Sequence, residues 1–360
     1  MYEEITFTNG DDYFQAVKDA ISSAKNFIHI ESYIFDQDSL GLDILELLVK
    51  AKERGVRVQL LLDGVGSSAW SFADAQRWRG LGVELKFFHA LPWQRRPSTV
   101  WKLLTLKRIA LGFFKLNRRN HRKICIIDNN TIFVSSMNIS ERHLPSVRGN
   151  QAWKDVSVMI RGGNLESFLT MARDAWNFSQ EHYGYRWRKI SRQKKAEHSE
   201  LIRNIRQAKS KIWITNPYFI PDLHLTRQLC AAAWRGVDVK ILLPGFSDVI
   251  GAKFAMESYY NALLTFGIKV YEYKPTLLHA KVLIIDNWVS MGSYNLDYRS
   301  IFYNLETNAT LVLQSNIEKA QDQFIMDIQS SRKIELAEWT QRSWMHRLLE
   351  KFFLSFQGWL

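Results

Sequence analysis

Residues 277–300 read LLHAKVLIIDNWVSMGSYNLDYRS. They place His279, Lys281 and Asp286 in the order H-x-K, four residues, D, followed by Ser293 and Asn295. An echo lies upstream. Residues 120–138 read NHRKICIIDNNTIFVSSMN and give His121, Lys123 and Asp128, then Ser136 and Asn138. The step from His to Ser is one residue longer in the first copy. One match to such a pattern is weak; two copies, each running through a short apolar stretch into S-x-N, are a duplication.

Both motifs sit on apolar, β-branched runs, KICIID and KVLIID, which predict buried strands. Side chains two apart on a strand share a face, so each His points with its Lys. The next strand can bring Ser and Asn beside them. A neutral imidazole near pH 7 is both a nucleophile and a proton carrier. Ammonium and amide NH2 groups are donors suited to phosphoryl oxygens. Two copies about a pseudo-twofold axis place two imidazoles on one phosphorus. One attacks a phosphodiester to form a phosphohistidine; the other protonates the leaving alcohol and then deprotonates the incoming alcohol or water. The paired lysines and asparagines supply the positive field, so neither a metal nor a cofactor is expected.

The candidate catalytic set is therefore His121, Lys123, Asp128, His279, Lys281 and Asp286. Ser136, Asn138, Ser293 and Asn295 are expected to bind the substrate phosphate. Within the set, Asp128 and Asp286 follow each Lys by an odd offset, which turns them to the opposite face as pairing or capping groups. Each His needs an orienting carboxylate. Asp155 in WKDVSVMI and Glu306 in NLETNATLVL start the strand after each motif and are the candidates. The remaining histidines, His143 among them, show no motif or ligand spacing and read as ordinary.

These residues resemble the phospholipase D superfamily with two HKD motifs, and within it the bacterial cardiolipin synthases of the short type. NHRKICIID, LLHAKVLIID…MGSYNLDYRS…NLE, IHIESYIF and NPYFIP carry the resemblance from about Tyr13 to about Ile328. Ser135 departs from it, standing where the family usually has Gly. The residues alone do not say which histidine attacks; the resemblance implies His121, with His279 as acid and base. It also implies a phosphatidyltransferase that moves a phosphatidyl group from phosphatidylglycerol to a second phosphatidylglycerol and releases glycerol. The same residues would serve a phospholipase D with water as acceptor, or a phosphodiesterase or nuclease.

Outward from the motifs, GVRVQLLLDG (55–64) and GVDVKILLPG (236–245) align without a gap. Helices are expected over 11–25 and 40–54, and again before Lys211 and through Ala231–Arg235. The fold class is α/β: two duplicated α/β/α sandwich halves, a pseudo-twofold active site between them and a C-terminal amphipathic helix. The expected units are 1–184, 185–335 and a membrane-binding tail, 336–360. The run YRWRKISRQKKAEHSE (185–200) reads as a solvated linker and helix start.

From Gly82 to the first motif the chain is about 27 residues longer than from Gly267 to the second. This insertion, about 89–118, is rich in Arg, Lys, Trp, Leu and Phe and has no acid. It reads as a membrane-dipping segment. In the tail, Trp344, Met345, Leu348, Leu349, Phe352, Phe353, Phe356, Trp359 and Leu360 fall on one helical face opposite His346, Arg347, Glu350, Lys351 and Gln357. That pattern suits a lipid–water interface.

The net charge of +12 calls for an anionic partner. Thirteen tryptophans among many other aromatics favour an anionic phospholipid membrane over nucleic acid. No secretory leader and no run of eighteen apolar residues is seen, and Cys125 and Cys230 are not expected to pair. The expected location is peripheral, on the cytoplasmic face of a bacterial inner membrane. The sequence leaves the oligomeric state open.

Overall fold

The computed structural model describes residues 2–96, 117–178 and 183–358. Two seven-stranded mixed sheets form the body. The first has strands β1 (Glu3–Phe7), β2 (Phe27–Ser32), β3 (Arg57–Asp63), β4 (Glu84–Phe88), β5 (Ile124–Ile127), β6 (Thr131–Ser135) and β7 (Ser157–Arg161), ordered 1-7-6-5-2-3-4. The second has β8 (Lys211–Thr215), β9 (Asp238–Pro244), β10 (Lys269–Tyr273), β11 (Val282–Ile285), β12 (Trp288–Gly292), β13 (Asn308–Thr310) and β14 (Ser331–Ile334), ordered 13-12-11-8-9-10-14. Six strands of each sheet correspond one to one. β1 and β14 have no counterpart and lie at opposite edges.

The repeat read from 55–64 and 236–245 is β3 and β9, both parallel to the preceding strand. Each is entered through a glycine at a φ near +90°, Gly55 and Gly236, where a side chain would be strained. The expected helices appear as Gly10–Ser23, Ser39–Glu53 and Leu223–Trp234. The first is capped by Asn9, whose side chain accepts from the Asp11 amide, and Asp11 and Asp12 sit inside its first turn.

Each sheet packs its outer face on helices and shares its inner face. Ile124, Ile126, Val134 and Val158 of the first sheet meet Val282, Ile284, Val289 and Met291 of the second in one apolar cluster. The helices Glu166–Phe178 and Gln314–Gln329 cover the rest of the inner faces, through Trp176 on Leu61 and Phe88 and through Phe324 stacked on Trp213. A fully buried Leu, Ile or Phe side chain stabilises the fold by about 1.5–3 kcal/mol, so this seam holds the halves firmly. Between the halves the chain runs as one helix, Tyr183–Gln207, where a solvated linker and helix start were expected over 185–200. Among the described residues no helix is long and apolar enough to cross a membrane.

The tail forms the helix Trp344–Leu354. It docks on the helix Ile250–Glu257, with Phe353 stacked on Phe254 and His346 Nε2 2.9 Å from Glu257. Glu350, expected on the solvent side, is buried and paired with Arg342 at 2.6 and 2.8 Å. The docked face thus carries His346 and Glu350 of the polar side with Phe353 and Leu354, while Arg347 and Lys351 stay exposed. Trp344, Met345, Leu348, Phe352 and Phe356 face outward. Trp359, Leu360 and most of the insertion (97–116) lie outside the described residues.

Candidate active site

Each motif strand is short, and its His and Lys lie just ahead of it. His121 and Lys123 precede β5, and His279 and Lys281 precede β11. These entry segments are held by the opposite half. The His121 amide donates to the Leu305 carbonyl at 2.9 Å, and the Leu305 amide to that of Arg119 at 2.8 Å. The His279 amide donates to the Lys154 carbonyl, and the Lys154 amide to that of Leu277, both at 2.8 Å. The two bridges are mirror roles about the pseudo-twofold axis.

The carboxylates cross in the same way. His121 Nδ1 lies 3.1 Å from Glu306 Oε2, and His279 Nδ1 lies 2.8 Å from Asp155 Oδ1. The acid that follows the first motif therefore serves the second histidine, and the reverse. All four groups are nearly buried. Burial alone would raise Glu306, but His121, Lys123 and Lys194 outweigh it and its carboxyl falls to about 2. His279 and His143 hold Asp155 well below the usual carboxylate range despite burial. Two ionised carboxylates make each Nδ1 a hydrogen donor and leave each Nε2 for chemistry.

Ser136 and Ser293 were expected on the substrate phosphate, and the structure corrects this. Both are fully buried, and their hydroxyls donate at 2.6 Å to Asp155 and Glu306. Asn138 and Asn295 do reach the site. With both histidines they line a cavity of about 330 Å³ that also takes in Tyr33, Trp153, Tyr218, Asp248, Asp297 and Arg299. Asn295 Oδ1 is buried there without a hydrogen-bond partner in the structure.

Asp128 and Asp286 do not join the histidines, so their place in the catalytic set is corrected. Each opens the hairpin after its motif strand at a φ of 51°. Asp128 accepts from the amides of Lys25, Asn26 and Phe27, and Asp286 from those of Lys209, Ser210 and Lys211, all at 2.7–3.0 Å. They pin the hairpin to the start of the neighbouring strand, the capping role that their offset suggested.

The lysines sit behind the histidines. Lys123 Nζ donates to the His121 carbonyl at 2.8 Å, and Lys281 Nζ lies 2.9 Å from His279 Nε2. Burial, reinforced by Lys281, lowers Lys123 to about 7. Burial lowers Lys281 to about 8 against the pull of Asp155 and Glu306. Burial likewise lowers His121 to about 4, with Glu306 opposing the shift, and His279 to about 3, with Lys281 adding to it. Near pH 7 both imidazoles are therefore neutral, and both lysine amines take up a proton less readily than an ordinary lysine. An entering phosphodiester anion raises the proton affinity of all four.

His143 is not ordinary. It is buried, its Nδ1 lies 2.7 Å from Asp155 Oδ2, and its Nε2 accepts from the Asn138 amide at 3.1 Å. The one signal in the sequence was a break in the repeat, since the aligned position of the second half is Ser300. The donor atoms of His143, Asp155 and His279 lie within 4.8 Å of one another, and the two imidazole N–H bonds to the carboxylate account for that closeness.

Ser135 keeps its turn by a different means from its counterpart. At Gly292 a Cβ would meet the Thr307 carbonyl oxygen at 2.3 Å, and Asn308 Oδ1 accepts from the Tyr294 amide. In the first half Ser135 Oγ itself accepts from the Met137 amide at 2.8 Å and pairs with Ser157.

A family model described as "Cardiolipin synthase, PLD-like domain" matches residues 17–156 and 201–328. The chain is 32% identical to cardiolipin synthase 2 of Bacillus anthracis over 98% of its own length and 69% of that protein's. It is equally identical to the cardiolipin synthase of Halalkalibacterium halodurans, over 95% and 69%. Its fold is similar to the crystal structure of phosphatidylserine synthase from Haemophilus influenzae Rd KW20, with a TM-score of 0.73 at 12% identity, covering 98% and 92% of the two chains. With two HKD segments folded into one cavity and a family model spanning both, the chain belongs to the cardiolipin synthase family of phospholipase D-like proteins.

Proposed function

We propose that the protein is a cardiolipin synthase that transfers a phosphatidyl group between two phosphatidylglycerol molecules. The observation that carries this reading is the pair of crossed His–carboxylate couples opening on one cavity. His121 Nε2 attacks the phosphorus, a P–N bond forms and the P–O bond to glycerol breaks, and His279 Nε2 gives its proton to the departing oxygen. The hydroxyl of the second phosphatidylglycerol then gives its proton to His279, attacks the phosphorus and breaks the P–N bond. Lys123, Lys281, Asn138 and Asn295 face the charge that builds on the phosphoryl oxygens.

The second partner in this reading is an anionic membrane surface, with the protein peripheral on the cytoplasmic face of a bacterial inner membrane. Trp344, Leu348 and Phe352 expose 73%, 57% and 55% of their surfaces in one outward stripe. The docked helix under them also carries exposed Ile250, beside Val249 at the cavity rim. Asn117, at the exit of the insertion, donates to the Gly358 carbonyl at 2.9 Å, so the insertion and the tail meet. Cations at such a surface contribute about 1 kcal/mol each to binding.

The test is mass spectrometry of lipids after incubation with phosphatidylglycerol vesicles, with His279→Ala as control. Cardiolipin and free glycerol are expected. Phosphatidic acid as the sole product would replace the transferase with a hydrolase, and unchanged lipid would overturn phosphatidylglycerol as donor.

A further inference from the structure

The two acids of the site are not equally occupied. Asp155 receives three side-chain donors: Ser136 at 2.6 Å and His279 at 2.8 Å on Oδ1, and His143 at 2.7 Å on Oδ2. Glu306 receives Ser293 at 2.6 Å and His121 at 3.1 Å on Oε2, while Oε1 is buried with no hydrogen-bond partner in the structure. The difference is His143. Its Nε2 is committed as acceptor to the Asn138 amide, so its Nδ1 carries the hydrogen and donates to Asp155. Its ring is wedged edge-on against Trp153, which also touches His279. Ser300, the aligned residue of the second half, sits in the cap of a short helix and makes no bond to Glu306.

We propose that His143 is a positioning residue that makes the two catalytic histidines chemically unequal. By donating to Asp155 it draws negative charge away from His279 and makes that imidazole the readier proton donor. His121 keeps a carboxylate with no competing imidazole and remains the better base and nucleophile. The cations near Glu306, Lys123 and Lys194, act through space and do not take up Oε1. Titratable groups facing His279 are Asp155, His143 and Lys281, with Asp248, Asp297, Arg299 and His121 around the cavity. His143 also ties Asp155 to the backbone N–H of Asn138, a residue that lines the cavity.

The functional half of this inference rests on the reading of His279 as acid and base; the hydrogen-bond half does not. The experiment compares His143→Phe, which keeps a ring and removes both polar contacts, with His143→Asn, whose amide can still donate to Asp155. In substrate-free full-length protein, the Nδ1–H proton resonance of His279, assigned by its loss in His279→Ala, reports its bond to Asp155. It should move downfield in the Phe variant and return towards the parent in the Asn variant. In single turnovers with phosphatidylglycerol vesicles, formation of the phosphoenzyme needs protonated His279. Its alkaline limb should move up by about half a pH unit or more in the Phe variant and back in the Asn variant. A resonance that stays put in the Phe variant, or two variants that shift alike, would overturn the proposal. A moved resonance with an unmoved limb would overturn the acid–base role of His279 and leave the shared Asp155 standing. His143→Ser, the residue of the other half, replaces the Phe variant in the same comparison if the latter does not fold.

Discussion

The segments that carry the two histidines have the same backbone bridges and opposite surroundings. In the first half the run is Arg119-Asn120-His121-Arg122-Lys123, polar throughout and buried throughout. Arg119 pairs with Asp63 at 2.8 Å, the Asn120 amide donates to Asp63, and the Asn120 side chain donates to Glu31 at 2.7 Å. Arg122 reaches the Glu306 and Met171 carbonyls. In the second half the run is Leu277-Leu278-His279-Ala280-Lys281, in which Leu278 and Ala280 join the central apolar cluster. A duplicated site is thus held once by buried ion pairs and once by packing. What is common to both is the crossed bridge and the crossed acid.

The sharpest test of that equivalence removes each histidine. His121→Ala and His279→Ala are each expected to lower turnover by at least about 10³-fold, and only the variant that keeps the nucleophile should trap a phosphoenzyme. Substantial steady-state activity in either would break the symmetry altogether. Next come the two kinds of support. Asp63→Ala strands the buried Arg119 and should cost about 3–5 kcal/mol in denaturant unfolding. Leu278→Ala leaves a cavity and should cost about 2–5 kcal/mol. The contrast is in repair: Asp63→Leu with Arg119→Met removes the stranded charge but leaves the Asn120, Val65 and Gly66 amides without their acceptor, so it should recover only part of the loss.

The lysines offer a pH-resolved comparison. Both are lowered by burial, Lys123 to about 7 and Lys281 to about 8, and both must be protonated to hold an anion. Donor binding should therefore weaken as pH rises from 7 to 9, seen as a rising KM. In Lys281→Met the titration of Lys123 should move up, because the ammonium that repels it is gone; an unmoved midpoint would separate the two half-sites electrostatically. The smallest effect belongs to the tail. Leu348→Glu with Phe352→Glu should weaken vesicle sedimentation about tenfold while unfolding changes by less than about 0.5 kcal/mol per site. Unchanged sedimentation would assign the outward stripe to a protein contact.

The duplicated strands and the paired motifs were legible because spacing, β-branched runs and an ungapped repeat are local signals. The crossing of Asp155 and Glu306 was not, because nearness along the chain suggested neighbours and said nothing of an axis that exchanges them. Ser136 and Ser293 were misplaced for a related reason: the pattern put them beside the motif, but only the third dimension shows their hydroxyls turned to the carboxylates. His143 was passed over because it was judged by metal spacing, when the informative fact was a histidine against a serine at one aligned position. In the tail the helix and its apolar stripe were readable, yet the docked face was set by Arg342 and Glu257, which no periodicity reports. The buried network of Asp63, Arg119 and Glu31 had its trace in charged residues set in or beside apolar strand runs, a combination that hydrophobic patterning scores as noise.

The crossed couples also set an order of assembly. His121 and Glu306 are separated by 185 residues of chain. At about 5–20 residues per second, a ribosome adds that length in roughly 10–40 s. Throughout that interval the first half has His121 but not the carboxylate that bonds it, and its inner sheet face, with Ile126, Val134 and Val158, has yet to meet the second sheet. The nascent chain therefore carries a sticky surface and a histidine without its carboxylate, and both are resolved together when the second half folds.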